Sequence, residues 1–367
     1  MGASGKRATG LIPLFRDLES RNDLEIHSVC TNGTREAAKK TGQRFGAPNR
    51  YVEFDQLLQD TLLDAVYLAT PMPLHASQAI AALEQDIHVL SEVPAGVSIA
   101  ECRKLVRATQ DSSAHYMLGE NTNFFESNMI IREVVDDGCF GEIHHAEGEY
   151  SHDTRDLLTN TDWRREWQFG RNGIVYPTHQ LGPILSWLRE DRIDRVSCTG
   201  SGRQFEDSDG DLFELEAHTM MVARTDNDRQ VVIRLDKQTP RPHEPTVKYQ
   251  LQGTKGWYES SRAEHEFDKL HLVNQCESDE WLDVTELKEY MPPFWQDPPT
   301  GLPEIHDAAH GGGDYLMLLR FAEAVKNDEC SPIDIHAAMD MTLPGLVSQQ
   351  SIANDGEWLV VPDSREW

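Results

Sequence analysis

Hydrophobic positions in the first third of the chain fall into two short runs with a longer periodic segment between them. Both runs, DAVYLAT (64–70) and HVLSEV (88–93), are rich in β-forming residues and are followed by Pro71 and Pro94. Residues 75–83 carry small and apolar side chains at helical spacing. Two buried strands joined by a helix form a right-handed βαβ unit, and ligands of such parallel sheets bind at the carboxyl ends of the strands.

Strand and helix patterns alternate on both sides of this unit. Helices are predicted from Leu11 and at 35–45, 54–62 and 99–110, and strands at 23–30, 51–52 and 114–119. This alternation predicts a Rossmann dinucleotide-binding domain over residues 1–121. Only Met1 precedes the first turn, so the first strand of that fold is expected to be missing from a truncated chain. Adding an upstream apolar pentapeptide should then raise both stability and cofactor affinity.

The second half changes to successive strands with polar turns between them. Strands are predicted from Gly141 and at 195–202, 213–224, 230–236 and 249–252, and helices at 128–137, 314–325 and 335–352. A run of strands without intervening helices predicts an open, mostly antiparallel sheet in an α+β domain. We assign residues 122–367 to this substrate and oligomerisation domain, with a C-terminal helix packing back on the first domain.

Acidic residues outnumber basic ones 62 to 34, which gives a net charge of −28 and a pI near 4.8. Phosphate binding needs a basic surface, so nucleic acid and anionic membranes are not expected as partners. The acidic residues are dispersed, which is typical of a protein from a high-salt cytoplasm. No signal segment or apolar run of membrane length is visible, and six cysteines stand without a CxxC pair. These features predict a cytoplasmic protein with no metal site.

The first ten residues, MGASGKRATG, form a glycine-rich turn that leads into a helix. Such a turn can hold a pyrophosphate on backbone N–H groups, although Ser4 and Arg7 stand where G-x-G-x-x-G has its later glycines. The residues predicted to hold the cofactor here are Gly2, Ser4, Gly5, Lys6 and Arg7. A second polar turn contains Thr31 and Arg35, where Arg35 could bind the 2′-phosphate of NADP or could be a solvated helix-start residue. NAD is favoured, and NADP stays open.

Two motifs resemble those of a known enzyme family. Ala69-Thr70-Pro71 with His75, and His88-Val89 with Glu92-Val93-Pro94, are similar to ATP-x-x-x-H and H-V-x-x-E-K-P in the Gfo/Idh/MocA NAD(P)-dependent oxidoreductases. This resemblance implies a homo-oligomer formed through the second-domain sheet, and cofactor contacts from Thr70, Pro71, His75, Glu92, Val93 and Asn121. Val93 departs from the pattern, because the family has there a lysine that touches the cofactor and often the substrate hydroxyl.

Hydride transfer to a nicotinamide needs a base that takes the hydroxyl proton. Tyr176 and His179 occur together before an apolar-periodic helix, and a helix start can tune the pKa of a histidine. From the residues alone, a histidine this close to a proline is more often a structural cap. The family resemblance implies an acid/base that faces the nicotinamide, although Val175 and Gly182 replace the family's flanking acids. We therefore predict His179 and Tyr176 as the catalytic residues.

A wider set of motifs resembles one branch of that family, the NAD-dependent α-N-acetylgalactosaminidases. The matching segments are EVPA (92–95), HDTR (152–155), NGIVYPTHQLGP (172–183) and HGGGDY (310–315). That branch oxidises a sugar hydroxyl at C3, eliminates the aglycone, adds water and reduces the sugar again. The resemblance implies sugar contacts from His152, Trp163 and Tyr315. Asp153 and Asp314 are further candidates for sugar hydroxyls, and both could instead be turn or helix caps.

Three functions follow from these features. The first is an NAD(P)-dependent oxidoreductase that acts at a secondary hydroxyl of a sugar, sugar derivative or cyclitol. The alternative is a redox-neutral glycoside hydrolase that recycles its NAD through oxidation, elimination, hydration and reduction. A non-catalytic nucleotide-binding relative stays open because of Val93 and the imperfect glycine turn. A small carbohydrate is the expected substrate of either enzyme.

Overall fold

The computed structural model of the chain describes residues 1–189, 191–242, 245–263, 265–298 and 310–367, with the backbone alone at 159 and 160. The chain divides into two compact units. The first comprises residues 1–124, 299–339 and 364–367, and the second comprises 125–298 and 340–363. The predicted domains, 1–121 and 122–367, differ from this division chiefly at the helix Gly313–Asn327, which belongs to the first unit.

Short parallel strands and helices alternate in the first unit, as the hydrophobic pattern predicts. The strands are β1 (Ser28–Cys30), β2 (Asn49–Tyr51), β3 (Ala65–Leu68), β4 (His88–Ser91) and β5 (Tyr116–Leu118). The helices are Lys6–Gly10, Ile12–Ser20, Arg35–Phe45, Phe54–Leu58, His75–Leu83, Ile99–Asp111 and Gly313–Asn327. Strand β1 pairs with β2, and β3, β4 and β5 pair in that order, all in parallel. The predicted Rossmann-like domain is thus confirmed.

The backbone of the first three residues connects these two groups of strands. The amino group of Met1 donates to the carbonyl of Tyr67 (2.6 Å), and the N–H of Ala69 donates to the carbonyl of Met1 (3.0 Å). On the other side, the N–H of Ala3 donates to the carbonyl of Cys30 (3.2 Å). Within the described residues no strand precedes β1. The first three residues therefore supply isolated hydrogen bonds where the Rossmann fold has a central strand.

Local sequence sets both ends of the helix Arg35–Phe45. The hydroxyl of Thr34 accepts a hydrogen bond from the N–H of Ala37 (3.2 Å), which caps the first turn. Gly46 ends the helix with a φ of 73°, a left-handed conformation that glycine adopts without a steric penalty. The apolar side of the helix contributes Phe45 to a buried cluster with Val29 of β1.

A mixed, nine-stranded sheet forms the second unit. Its strands are β6 (Ile143–Ser151), β7 (Ile193–Gly200), β8 (Thr219–Thr225), β9 (Gln230–Asp236), β10 (Val247–Gly253), β11 (Gly256–Glu259), β12 (Lys269–Leu272), β13 (Leu282–Asp283) and β14 (Leu359–Val360). The order is β13-β12-β11-β10-β6-β9-β8-β7-β14, antiparallel except for the parallel pair β6 and β9. The predicted mostly antiparallel sheet is confirmed, but the strand expected at 213–224 begins only at Thr219.

One face of β6 carries the helix that leads to the candidate site. Ala146, Gly148 and Tyr150 are buried and alternate with more exposed polar residues. The helix Thr178–Leu188 crosses this face so closely that a Cβ at Gly148 would lie 2.8 Å from the Cβ of Gln180. Glycine at 148 therefore permits the close approach, and Tyr150, two residues further along β6, reaches the start of the helix.

The remaining helices are Glu126–Asp136, Asp162–Arg164, Thr178–Leu188, Pro293–Gln296 and Ile335–Ala353. Within the last of these, Gly345 allows the carbonyl of Ile174 to approach, since a Cβ there would lie 2.6 Å from that oxygen. The N–H of Ile174 donates to the hydroxyl of Ser348 on the same helix (2.9 Å), which holds the loop that precedes the helix Thr178–Leu188. No helix in the described ranges combines the length and the apolar character that a membrane crossing requires.

Candidate active site

An aromatic cluster at the end of β6 contains both predicted catalytic residues. The ring centroids of Tyr176 and His179 are 5.0 Å apart, nearly edge to face. Tyr150 completes the cluster, with its ring 5.8 Å from Tyr176 and 5.6 Å from His179. The structure thus brings together a phenol, an imidazole and a second phenol that the sequence analysis did not select. Tyr150 was missed because its buried position in an alternating strand is also typical of a core residue.

Two backbone features fix His179 within this cluster. It is the second residue of the helix Thr178–Leu188, whose N-cap residue is Pro177. Its carbonyl accepts a hydrogen bond of 2.5 Å from the hydroxyl of Tyr249 in β10. The main chain at His179 is therefore tied to the sheet, so its ring has a defined direction toward Tyr150 and Tyr176.

The predicted sugar-binding residues of the second unit lie near this cluster and are partly engaged. The hydroxyl of Tyr150 and the Nδ1 atom of His152 are 2.9 Å apart. Asp153 accepts two hydrogen bonds from Arg155 (2.9 and 2.8 Å), which lower the pKa of its carboxyl group. Trp163 supplies a ring face to the guanidinium of Arg164, 4.5 Å away. A role for His152, Asp153 and Trp163 in sugar binding stays a prediction.

Lys237 is a buried amine of the same cluster that the sequence analysis missed. Its side chain is 1% exposed, and Nζ lies 5.4 Å from the ring centroid of Tyr150 and 5.1 Å from that of Tyr176. Burial, together with the nearby positive charge of Arg164, lowers the pKa of the Lys237 amine to about 7. Lys237 directly follows β9. It was missed because a lysine after a strand is normally predicted to lie in a solvated turn.

Arg164 is the second cation beside the two tyrosines. It donates to the side-chain oxygen of Gln168 (3.0 Å), while its buried Nε has no hydrogen-bond acceptor in the described part of the chain. Burial lowers the pKa of Arg164, opposed by the electrostatic contributions of Tyr176 and Tyr150. The site therefore combines two phenols and an imidazole with two cations.

A separate buried network in the first unit contains several predicted cofactor residues. The Nε of Arg7 donates to Glu92 (2.7 Å), and its two terminal nitrogens donate to both oxygens of Asp314 (2.8 and 2.7 Å). Asn121 also donates to Asp314 (2.8 Å), and the Tyr67 hydroxyl donates to Glu92 (2.5 Å). These bonds join the first helix, the end of β4 and the helix Gly313–Asn327 within the unit.

Asp314 is the electrostatic centre of this network. Its side chain is fully buried, and burial alone would raise the pKa of its carboxyl group. The positive charge of Arg7 and hydrogen bonds from His310 and Arg7 outweigh burial and hold that pKa well below its usual range. Its neighbour Tyr315 is buried too, and the Tyr315 hydroxyl donates to Asp17 (2.8 Å). The predicted contacts of Asp314 and Tyr315 with a sugar stay untested predictions, and the structure places both residues in the first unit.

His75 and Thr70, two positions of the sequence motifs, make hydrogen bonds at the strand ends of the first unit. His75 is 2% exposed, with Nε2 2.8 Å from the carbonyl oxygen of Thr70 and Nδ1 3.0 Å from that of Pro94. Burial lowers the pKa of His75. The Thr70 hydroxyl donates to Gln78 (2.7 Å), and Val93 is buried. These contacts explain the ATP-x-x-x-H and E-V-P spacing structurally, and the predicted contacts of Thr70, Pro71, His75 and Val93 with a cofactor stay predictions.

The glycine-rich turn has features that fit a dinucleotide. Gly2 has a φ of 75°, and a Cβ there would overlap the carbonyl oxygen of Ala69, so only glycine fits. Gly5 adopts an extended backbone at the start of the helix Lys6–Gly10. Ser4, Gly5 and Lys6 are exposed, as is Arg35. Thr31, directly after β1, has a fully buried hydroxyl without a hydrogen-bond partner among the described residues. An accessible turn beside an unsatisfied polar atom fits a polar ligand such as NAD.

Three family models match the chain and together cover most of its length. The model described as oxidoreductase family, NAD-binding Rossmann fold, matches residues 5–120. The GFO/IDH/MocA C-terminal domain matches residues 129–259. The glycosyl hydrolase 109 C-terminal domain matches residues 208–366. The first two models belong to one oxidoreductase family, and the third agrees with the branch that the sequence motifs indicate.

Similar proteins agree with these family matches. A glycosyl hydrolase family 109 protein of Saccharopolyspora erythraea is 29% identical over 98% of this chain and 81% of its own length. Its counterpart in Shewanella pealeana is 27% identical over 98% and 83%. Among solved structures, levoglucosan dehydrogenase in complex with NADH and levoglucosan has a TM-score of 0.82 at 17% identity, covering 98% of this chain and 97% of its own. An NAD-binding oxidoreductase from Klebsiella pneumoniae has the same TM-score and coverage at 16% identity. These two structures share the fold.

Proposed function

The chain belongs to the Gfo/Idh/MocA family of NAD-binding oxidoreductases, and on that basis we propose that it oxidises a secondary hydroxyl of a sugar, sugar derivative or cyclitol. When bound, NAD supplies the acceptor for the hydride. The residues of this chain then have to orient the sugar, exclude water and remove the hydroxyl proton. A solved relative with the same fold holds NADH and a sugar.

The observation that carries this proposal is the contact between Tyr176 and His179. Their rings lie 5.0 Å apart at a helix start, packed against Tyr150. In the proposed reaction His179 takes the hydroxyl proton, and Tyr176 donates a hydrogen bond to a sugar oxygen. Positioned acid–base groups contribute about 10²–10⁴-fold to a rate.

A redox-neutral glycoside hydrolysis is the second candidate function. It is favoured by the glycosyl hydrolase 109 C-terminal domain that matches residues 208–366, and by relatives named for that family. Such a reaction removes a proton from carbon after the sugar has been oxidised, so it needs a base in addition to the one that takes the hydroxyl proton. Tyr176 and His179 would share these proton transfers. Valine in place of the family's lysine at position 93 agrees with a changed set of bases.

One assay separates the two reactions. Purified protein is mixed with NAD and a panel of free sugars and aryl glycosides, and reduced nicotinamide and released aglycone are followed together. Stoichiometric reduced nicotinamide with a free sugar is the result expected for the dehydrogenase. Release of aglycone without net reduction, abolished when NAD is stripped, establishes the hydrolase instead. Bound NAD with no signal in either channel contradicts both and favours a non-catalytic relative.

We further propose a homo-oligomer formed through the open face of the second-unit sheet. This face carries alternating charges rather than apolar residues: Glu149 pairs with Lys248 (2.7 Å), and Glu147 with Arg234 (2.9 Å). Charges of both signs on this face could be complemented by the same face of a second copy. Sedimentation velocity on the full chain and on an Arg234→Glu variant tests this, because a charge reversal should shift the population toward the monomer.

The dispersed acidic charge leads us to propose a cytoplasm of high salt concentration as the setting of this protein. A net charge of −28 destabilises the folded state through self-repulsion, which salt screens. We expect the melting temperature to rise from low to multimolar KCl. The measurement is a thermal melt followed by circular dichroism over that range, with sucrose as a control for uncharged cosolute effects. A melting temperature that stays constant or falls in KCl would contradict the proposal.

A further inference from the structure

Two cations approach the same pair of tyrosines, and no carboxylate within the described residues pairs with either of them. The Nζ of Lys237 lies over the rings of Tyr150 and Tyr176, at 5.4 and 5.1 Å from their centroids. Arg164 is close enough to both tyrosines, and to Lys237, for its charge to act on them. Among the described residues, the side-chain contacts of these two cations are aromatic rings and the amide oxygen of Gln168.

In the part of the chain that the structure describes, Arg164 and Lys237 lack counter-ions although acidic residues are plentiful. The sequence has 62 acidic and 34 basic residues, so carboxylates are abundant. The neighbouring arginines on either side are neutralised: Arg155 pairs with Asp153 and Arg165 with Asp207, each at 2.8 Å. Lys248, another buried lysine of the same sheet, pairs with Glu149 at 2.7 Å. Among the described residues, these neighbours thus have carboxylate partners, whereas Arg164 and Lys237 have none.

Buried cations without partners are costly, and two of the same sign are more so. A charge removed from water loses its solvation, and a like charge nearby adds repulsion. The buried Nε of Arg164 is also a donor with no acceptor in the described residues. Unsatisfied buried donors are rare in proteins and indicate a missing ligand when they cluster with other functional groups. An anion placed between Arg164 and Lys237 would neutralise both charges and reduce their repulsion. It would also accept a hydrogen bond from the Nε of Arg164.

We propose that Lys237 and Arg164 form a subsite for a carboxylate, so that the substrate of the proposed sugar oxidation is an acidic sugar such as a uronate. A guanidinium matches the two oxygens of a carboxylate, and an ammonium adds a compact charge beside it. The inference rests on the proposed function only for the sugar; the anion subsite itself rests on the two cations. Tyr176 and His179 lie outside this subsite and keep their proposed roles at the hydroxyl oxygen, from which the proton is removed.

Binding of an anion at this subsite is linked to protonation of Lys237. The groups that face its amine are Tyr150 from β6, Tyr176 from the loop before the helix Thr178–Leu188, and Arg164 from the helix Asp162–Arg164. The neighbouring carboxylate of Asp236 instead accepts from the backbone N–H groups of residues 238 and 239. A bound carboxylate raises the pKa of the amine above its free value of about 7, so binding takes up a proton at neutral pH. Affinity should therefore fall as pH rises through about 7.

The test is isothermal titration of the NAD-loaded protein with a hexuronate, the matching neutral hexose, its 6-phosphate and its sulfate ester. Titrations at pH 6, 7 and 8 in buffers of different ionisation enthalpy report the proton uptake. We expect the hexuronate to bind about tenfold or more tightly than the neutral hexose, because a charge-assisted pair contributes more than 1.4 kcal/mol. Lys237→Met and Arg164→Gln should each remove that preference, and Lys237→Met should also remove the proton uptake.

Matched variants and the remaining ligands give the contrary outcomes. Lys248→Met and Arg165→Gln remove cations that already have carboxylate partners, so both variants should still bind the hexuronate more tightly than the neutral hexose. Lys237→Arg should also bind the hexuronate more tightly, but its affinity should not depend on pH. Equal affinity for hexuronate and neutral hexose overturns the proposal, and tighter binding of the phosphate or sulfate ester overturns its assignment to a carboxylate. Oxidation of neutral sugars alone would contradict this inference but not the proposed function. Selective hexuronate binding with no reduction of NAD would contradict the proposed function but not this inference.

Discussion

Replacing His179 by glutamine is expected to lower turnover by about 10²–10⁴-fold while the affinity for NAD stays unchanged. Glutamine keeps the size and a hydrogen-bonding group but cannot take a proton. The backbone position is preserved, because the contact with Tyr249 is made by the carbonyl of residue 179. Turnover is measured by steady-state formation of reduced nicotinamide, and NAD affinity by titration calorimetry.

A second histidine provides the control for this variant. His145 lies on β6 at an odd-numbered position, on the opposite face from Tyr150, and contacts Glu147 at 3.1 Å. His145→Gln should therefore leave turnover within about twofold of the parent, in keeping with a surface substitution. Tyr176→Phe should resemble His179→Gln, since it removes the hydroxyl and keeps the ring packing. Full turnover in His179→Gln with folded protein would remove His179 from the catalytic residues.

Replacing Asp314 by alanine is expected to destabilise the protein by about 3–5 kcal/mol, the typical effect of removing one partner of a buried ion pair. The variant leaves the guanidinium of Arg7 with Glu92 alone and leaves the side chain of Asn121 without its acceptor. Asp314→Asn should lower the free energy of unfolding by less than Asp314→Ala, because the amide oxygen can still accept one hydrogen bond. Equilibrium unfolding in urea measures both values.

The same carboxylate should contribute to acid sensitivity. The pKa of Asp314 is held below its ordinary value, so its contribution to stability is complete above the unfolded pKa of about 3.9 and is lost as pH falls further. Asp314→Ala should therefore show a shallower loss of stability below pH 4 than the parent. Glu323→Ala is the control, since this exposed partner of Arg320 on the same helix should contribute at most about 1 kcal/mol. Equal losses of unfolding free energy in Asp314→Ala and Glu323→Ala would contradict a central role for Asp314.

The hydrophobic pattern was sufficient to predict the fold, because the strands of both sheets follow from apolar runs or from alternation over a few neighbouring residues. The parallel pair β3 and β4 follows from two apolar runs and the helix between them, and β6 from strict alternation. Tyr176 and His179 could be selected because they are close in sequence and precede a helix. Pattern alone could not place the start of β8 at Thr219, because residues 213–218 have a similar alternation without strand pairing.

The features that escaped prediction depend on contacts between distant residues. Arg7 and Asp314 are 307 positions apart, so nothing local shows that an apparent phosphate-loop arginine is held by a buried carboxylate. Lys237 was overlooked for the same reason, since its burial comes from Tyr150 and Tyr176 on other elements. The lysine that family members have at position 93 is absent, and an amine instead occurs in the second unit. Charge balance around a side chain is a property of the folded chain.

Single-turnover mixing of NAD-loaded protein with a sugar substrate shows whether a sugar C–H bond is broken by hydride transfer at the cluster of Tyr150, Tyr176 and His179. We predict that reduced nicotinamide forms within the first turnover, more slowly from a sugar deuterated at carbon, and far more slowly in His179→Gln. The signal should persist for a dehydrogenase and decay for a hydrolase that recycles NAD. Conversion of the sugar without any reduced nicotinamide in that first turnover would contradict the account.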